Sequence, residues 1–496
     1  MPDRVHKTGP KDPVVNFEAL WRMFDRNYGS FIPKRIDWDL LYRVYRPKVN
    51  ARTNDRELFA VMSRLLEHLN DNHVKIQSRR PPRFFRSGIL GNLNRDARGR
   101  HIPIGYNIPD FSLDLVKARY LRRRFEERLP GTKLAAYFGG DFPLYTFGWL
   151  KKGIGYFHLR NFDEVEKTAA VADEIITEFR NARGMIVDIR GNGGGWDPVA
   201  KAIADRFADT RRLYMVTRTR NGPRHDDFTP PRYWHTEPKG PHPFTKPVIL
   251  LTHRWSISAA DCFALAMREL PHVTNLGEFT SGAYSDEYWD NLPNGWMVSI
   301  ANKLYLDAGG RCWEGIGTPP DIRQVNTRED IAAGRDRVLE SAVDLLMAGL
   351  PRRPERRPGL PPRESLAESL ERNILSLGTR KALDLFSLAK RRDPSTYYVD
   401  REEMDILAKK LMSQERVEEA LAVLKLTRRE APRDYHVYQS LAEAYEKKGD
   451  DRLARSHYRK AAGLNPKNLP EERRDLEKAL DVVNHCGFGV ATSNKE

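Results

Sequence analysis

From Gly153 onward the chain alternates short apolar runs with amphipathic stretches, and this rhythm limits the fold more than any other feature. IGYFHLR, GMIVDIR and PVILLTH are strand-like, whereas 163–180, 196–207 and a stretch starting near Ser258 have helical spacing. HVTNLGE and WMVSIANKLYL continue the series. Strands separated by helices bury both faces of a sheet, so the expectation for 151–350 is an α/β core.

The flanks read differently. Leu58, Val61, Met62, Leu65, Leu66 and Leu69 recur at steps of three and four, forming one apolar stripe within an N-terminal helical subdomain, 1–79. The stripe stops at Asn70, Asp71 and Asn72, turn-forming residues that put His73 just past a helix end. Runs such as RHIPIGYNI and KLAAYFGG suggest a small β-rich insert over 80–150. PRRPERRPGLPPR marks a proline- and arginine-rich linker at 351–363. Beyond it, 364–496 is helical with a period of 34 residues: Leu407, Ala408, Leu411, Ala420, Leu424 and Pro432 recur as Leu441, Ala442, Tyr445, Ala454, Tyr458 and Pro466. This tail resembles tetratricopeptide repeats, with a weaker half-copy at Ala382, Phe386, Ala389 and Pro394. It is a candidate surface for a protein partner or self-association, although a plain helical cap fits the same pattern.

Composition narrows the function classes. Three scattered cysteines, Cys262, Cys312 and Cys486, suit neither a disulfide framework nor a spaced metal site, and no cofactor fingerprint is present. The net charge of +15 is dispersed and lacks a nucleic-acid-binding motif, so no nucleic acid is expected. No apolar run reaches the ~18 residues of a membrane span. With no hydrophobic leader in MPDRVHKTGPKDP, a cytoplasmic location is the default expectation, export following if a leader has been removed.

Two segments could carry chemistry. DIRGNGGGW sets four glycines after a buried strand and before a helix, where backbone N–H groups can face an anion or a transient oxyanion. GxGxxG and GKS/GKT spacings are absent, which argues against nucleotide binding. RWSISAADCFALAM follows an apolar strand and opens a helix, so Ser258 is either a helix cap or a hydroxyl exposed at a strand-to-helix turn. A nucleophilic serine requires a base, and His73 is the best placed of thirteen histidines. Cys262 reads as a buried helix residue with no base beside it.

GMIVDIRGNGGG, SISAAD, GEFTSG and EGIGTPPDI, in that order, resemble the blocks of the carboxy-terminal-processing, or tail-specific, serine peptidases. FEALWRMFDRNYGSF and LLEHLNDNHV resemble the tricorn-like branch, the likeness covering about residues 14–325. The resemblance implies a crotonase/Clp-protease-like core of ββα units and a serine endopeptidase acting on extended or partly unfolded polypeptides. One branch uses a lysine base in a block matching GEFTSGAYS, but here Ala283 occupies its position. The tricorn-like branch implies His73, Ser258 and Glu314 as the catalytic set, with Asn72 where that branch has a serine, as a candidate to orient the ring. Ala259 and Gly194 are the expected oxyanion donors. The alternative is a non-catalytic binding or adaptor protein on the same scaffold. No GLGF-like carboxylate-binding loop is seen between His73 and Gly153.

Overall fold

The computed structural model describes residues 11–88, 108, 110–121, 125–128, 143–163, 165–349, 364–392, 397–398 and 401–464. The expected linker 351–363, the run KLAAYFGG, most of RHIPIGYNI, and Pro394, Pro466 and Cys486 lie outside them. Two compact units are present, one formed by Met1–Thr229 with Tyr233–Leu360 and one built on Pro361–Glu496.

Side-chain caps set the starts of the N-terminal helices. Asp12 accepts from Val14 and Val15 at α1 (Pro13–Asn27), Asp37 from Leu40 at α2 (Trp38–Tyr45), and Asn54 forms a capping box with Glu57 at α3 (Asp55–Glu67). Their apolar faces, including Phe17, Leu20, Phe24, Leu58, Met62 and Leu65, meet in one buried cluster. Burying each such side chain contributes roughly 1.5–3 kcal/mol.

The expected all-helical unit ends earlier than 79, because β1 (Lys75–Arg79) and β2 (Pro82–Arg86) form a hairpin. β1 pairs antiparallel with β12 (Met297–Ala301), Lys75 opposite Ser299, and β11 (Glu287–Asn291) completes a four-stranded sheet. The partner strands lie far along the chain, so local periodicity could not reveal this pairing.

The central sheet has seven strands in the order β14 (Ile322–Arg323), β10 (Val273–Gly277), β9 (Val248–Thr252), β6 (Met185–Asp188), β5 (Gly155–Leu159), β4 (Tyr145–Trp149) and β3 (Phe125–Arg128). Strands from β5 to β14 run parallel, whereas β3 and β4 add antiparallel strands at one edge. The segment expected as a separate insert, 80–150, is thus divided where it is described: β2 joins the N-terminal sheet, β3 and β4 the central one. Between them lies α4 (Leu113–Arg119). β5, β6, β9 and β10 are buried along their whole length, which explains their near-continuous apolar sequence.

Buried side chains of α5 (Val165–Glu178), α6 (Asp197–Ala204) and α7 (Ala259–Arg268) share one core with those of the sheet. Val338, Leu339 and Ala342 of α9 (Arg337–Ala348), which follows the short α8 (Arg328–Ala332), join a second core with Ile186, Ile249 and Leu251. A smaller sheet contains β7 (Arg212–Thr219), β8 (Arg232–Thr236) and β13 (Lys303–Asp307). WMVSIANKLYL therefore forms two strands in different sheets, divided at Asn302.

In the second unit, β15 (Glu364–Ser365) pairs with β16 (Tyr397–Tyr398). Helices follow one another as α10 (Leu366–Leu377), α11 (Thr379–Arg392), α12 (Arg401–Ser413), α13 (Val417–Glu430), α14 (Tyr435–Lys448) and α15 (Asp451–Leu464). Leu407, Ala408, Leu411, Ala420 and Leu424, with their counterparts Leu441, Ala442, Tyr445, Ala454 and Tyr458, are buried. The recurrent positions are thus packing positions. Among the described residues no helix is long and apolar enough to cross a membrane.

Candidate active site

Ser258 follows β9 and immediately precedes α7, with φ 61° and ψ −120°. A non-glycine residue at such dihedrals costs about 1–3 kcal/mol and persists only where its surroundings hold it. Here they do. Ile257 N–H donates to Asn192 O at 3.0 Å, and Ser258 N–H to Asp261 Oδ2 at 2.9 Å. Ser258 O in turn accepts from Asp261 N–H at 2.8 Å. Ser258 itself is only partly buried.

The glycine loop lies against this turn. A Cβ added at Gly194, where φ is +94°, would fall 2.6 Å from Ser258 Cβ and 2.7 Å from Ile257 O, so glycine is required for the approach. The expected role of Gly194 as an oxyanion donor meets a correction: its N–H is held by Asn192 Oδ1 at 2.9 Å. Asn192 is anchored in turn, its Nδ2 donating to Leu159 O at 2.9 Å. Ala259 opens α7, where an N–H has no intrahelical acceptor, and it makes no hydrogen bond among the described residues. At the strand end before the glycines, Arg190 binds Asp188 and Asp336 through buried hydrogen bonds of 2.7–3.1 Å. Each acid thus offsets part of the cost of burying the guanidinium.

His73 is 7% exposed. Its N–H donates to Asp71 Oδ1 at 2.9 Å, its carbonyl accepts from Ser299 Oγ at 2.6 Å, and its Nδ1 has no partner among the described residues. Burial pushes its pKa below the usual histidine value, outweighing the acidic charge of Glu287, while Lys75 and Arg86 add to the lowering. The ring is therefore neutral at neutral pH, as a general base requires. Asp71 is itself buried and accepts from Tyr28 Oη at 2.9 Å.

Glu314 is buried, and its Oε2 accepts from the N–H groups of Tyr284 and Ser285 at 3.1 and 3.0 Å. Oε1 has no partner. Burial, reinforced by Asp71, raises its pKa well above the usual glutamate value, against the lowering effect of Lys34 and the Ser285 N–H. Asn72 gives its Nδ2 to Ser281 O and Ser281 Oγ, both at 3.0 Å, and not to the His73 ring as expected. Among the described residues no hydrogen bond joins Ser258, His73 and Glu314 to one another.

What connects their surroundings is the segment 281–285. Ser281 binds Asn72, Gly282 and Ala283 donate to Asp261 at 2.8 and 3.1 Å, and Tyr284 and Ser285 donate to Glu314. Asp261 is thus the shared acceptor of the nucleophile turn and this segment. Burial pushes its pKa up to about 7, against the lowering effect of its hydrogen bonds. Sequence reasoning missed Asp261, though the serine-x-x-aspartate spacing of SISAAD was a usable signal. Nothing local marked Asp71 or Ser281. Ala283, at the lysine position of the other branch, is fully buried. Burial pushes the Cys262 thiol well up and that of Cys312 to about 11, which disfavours either thiolate.

One cluster resembles a cation site. Asp110, His253 and Glu278 present ligand atoms within 4.8 Å of one another. Arg254 bonds Asp110 Oδ2 and Glu278 Oε2, each at 2.6 Å, and so already supplies the positive charge these carboxylates need.

Residues 153–324, which include Ser258 and Glu314, match the model of peptidase family S41, and residues 10–67 match the tricorn protease C1 domain. The crystal structure of a putative peptidase from Parabacteroides merdae is similar over 68% of this chain and 97% of that one, with 30% identity and a TM-score of 0.57. The chain belongs to peptidase family S41.

Among curated S41-like relatives, the carboxy-terminal processing protease CtpA of Bacillus subtilis is 27% identical over 173 residues, 34% of each chain. The putative tricorn protease homolog 2 of Streptomyces coelicolor is 28% identical over 194 residues, 36% of this chain and 15% of that one. The chloroplastic C-terminal processing peptidase of Tetradesmus obliquus is 25% identical over 178 residues, 36% of each. The chain spans only about a third, or less, of the length of these curated relatives. His73 lies between the two S41 and tricorn-like matches, so its place rests on the pairing of β1 with β12.

Proposed function

We propose that this protein is a serine endopeptidase cleaving extended or partly unfolded polypeptides through an acyl-enzyme. The observation that carries this reading is Ser258, held at φ 61° beside the glycine loop and at the start of α7, within the S41 match. Such strain suits a nucleophile aimed at a carbonyl.

Ser258 Oγ attacks the peptide carbonyl as neutral His73 takes its proton. The imidazolium then protonates the leaving amine, the C–N bond breaks, and an acyl-serine remains. Water, deprotonated by the same ring, attacks the ester and releases the acid, returning the proton to Ser258. Ala259 N–H meets the tetrahedral oxyanion; Gly194 could join it only by releasing Asn192. Glu314 positions Tyr284 and Ser285, and its Oε1, which has no partner among the described residues, is free to meet the ring through a small shift or a water. The core would be of the crotonase/Clp-protease kind, and the tetratricopeptide-like helices would dock a protein partner or a second copy.

A second reading, a binding protein on the same scaffold, draws support from the missing hydrogen bond between Ser258 and His73. Catalytic hydrogen bonds often tighten only in the substrate complex, which keeps the enzyme reading first. Intact-mass analysis after fluorophosphonate treatment separates the two. Covalent labelling of the wild type, lost in Ser258→Ala and His73→Ala, is expected; a folded wild type that takes no label favours the binding protein.

A further inference from the structure

A cavity of about 510 Å³ opens beside the candidate site. Thr280, Ser281 and Gly315 line it, so it reaches the segment that links Asn72, Asp261 and Glu314. Phe279 and Ile316, 40% and 50% exposed, supply apolar surface on which a peptide backbone can lie.

Its charges are unequal in availability. Arg254 is engaged by Asp110 and Glu278, and Glu278 is spent on Arg254 and His253. Arg323 and Glu67 are exposed and therefore screened by solvent. Arg86 differs from all of them. It sits at the end of β2, partly buried, with no hydrogen-bonded or ion-paired side-chain partner among the described residues, and its Nε is buried and unsatisfied. The acid whose charge reaches it is Glu287, which is already paired with Lys75 and accepts from Ser299 Oγ at 3.0 Å. Arg86 is also near enough to His73 for its charge to disfavour protonation of that ring. A half-desolvated guanidinium lacking an acceptor, facing a cavity beside the reaction centre, is fitted to a planar anion that it can grip with two N–H groups.

We propose that Arg86 is a specificity residue that binds a carboxylate of the polypeptide in this cavity, supplied by an acidic side chain or a free C-terminus. The proposal rests on the peptidase reading for its substrate class, and its test is a binding measurement independent of turnover. Fluorescence anisotropy on full-length Ser258→Ala would compare labelled peptides with Glu or Gln at successive positions, each with a free or amidated C-terminus. At least one carboxylate is expected to tighten binding about tenfold. A dependence on the Glu position assigns the side chain, and a dependence on the free terminus assigns the tail. Arg86→Met should abolish the preference, Arg86→Glu should reverse it toward a Lys-containing peptide, and Arg86→Lys should retain part of it. Equal affinity of all four peptide classes for the parent protein, no binding of any, or a preference that survives Arg86→Met would overturn the proposal. Fluorophosphonate labelling of the wild type reports separately on the nucleophile, so a failure at Arg86 is distinguishable from a failure of the peptidase reading.

Discussion

The two halves of the candidate site are built in opposite ways. Around Ser258 the backbone is strained but fully supported: Asn192, Asp261 and Gly194 fix the turn from three sides. Around His73 and Glu314 the side chains are the less settled part: Nδ1 of one and Oε1 of the other are buried without partners among the described residues. Unsatisfied buried polar atoms cost about 1–3 kcal/mol each, so they are places where the structure gains by moving or by admitting a ligand. The turn of the proposed nucleophile is held by its own helix start and by the glycine loop packed on it. The proposed base and its acidic partner are seated by segments distant in sequence.

The largest effect that could break this contrast is chemical. Ser258→Ala and His73→Ala should each lower peptide hydrolysis by about a thousandfold or more, measured with a quenched fluorescent peptide. Gly194→Ala should come next. Its Cβ cannot be accommodated without displacing Ser258, so hydrolysis should fall roughly a hundredfold and thermal unfolding should shift to lower temperature. If Gly194→Ala is as active as the wild type, the claim that the turn is rigid fails.

Asp261→Asn sharpens the comparison, because this side chain serves both halves. It should slow fluorophosphonate labelling about tenfold while leaving the far-UV circular dichroism unchanged. A rate equal to the wild type would mean that the two halves are held independently. The pH profile probes the base alone. Because burial lowers the His73 pKa, kcat/KM should hold its plateau below the ordinary histidine value of about 6.5 and fall only at more acid pH. An acid limb above that value would assign the base elsewhere. Deleting 361–496 should have the smallest effect, with short-peptide hydrolysis unchanged within about twofold, since the tail helices bury their apolar residues against one another.

The same contrast explains what could be read in the sequence. The parallel strands were legible because buried strands are apolar along their length; Ser258 was legible as the residue at a strand-to-helix turn, its role as nucleophile coming from the family resemblance alone. Gly194 was legible as part of a donor-rich loop but not as a residue whose N–H is occupied, since that depends on the rotamer of Asn192. The hairpin after His73, and the placement of β3 and β4 at the edge of the main sheet, depend on partners remote in sequence. For the same reason the Asn72 contact with Ser281, 209 positions away, could not be foreseen.

The pairing of β1 with β12 has a temporal consequence. His73 and the serine that binds its carbonyl are 226 positions apart, so the base is seated only after most of the first unit has been synthesised. Long-range strand pairing is also slow relative to helix formation. A nascent chain would therefore carry a folded helical start, and later an exposed serine, well before it could cut anything. Under the proposed peptidase reading, the order of synthesis would withhold proteolysis at least until β12, the last strand of that sheet, has left the ribosome.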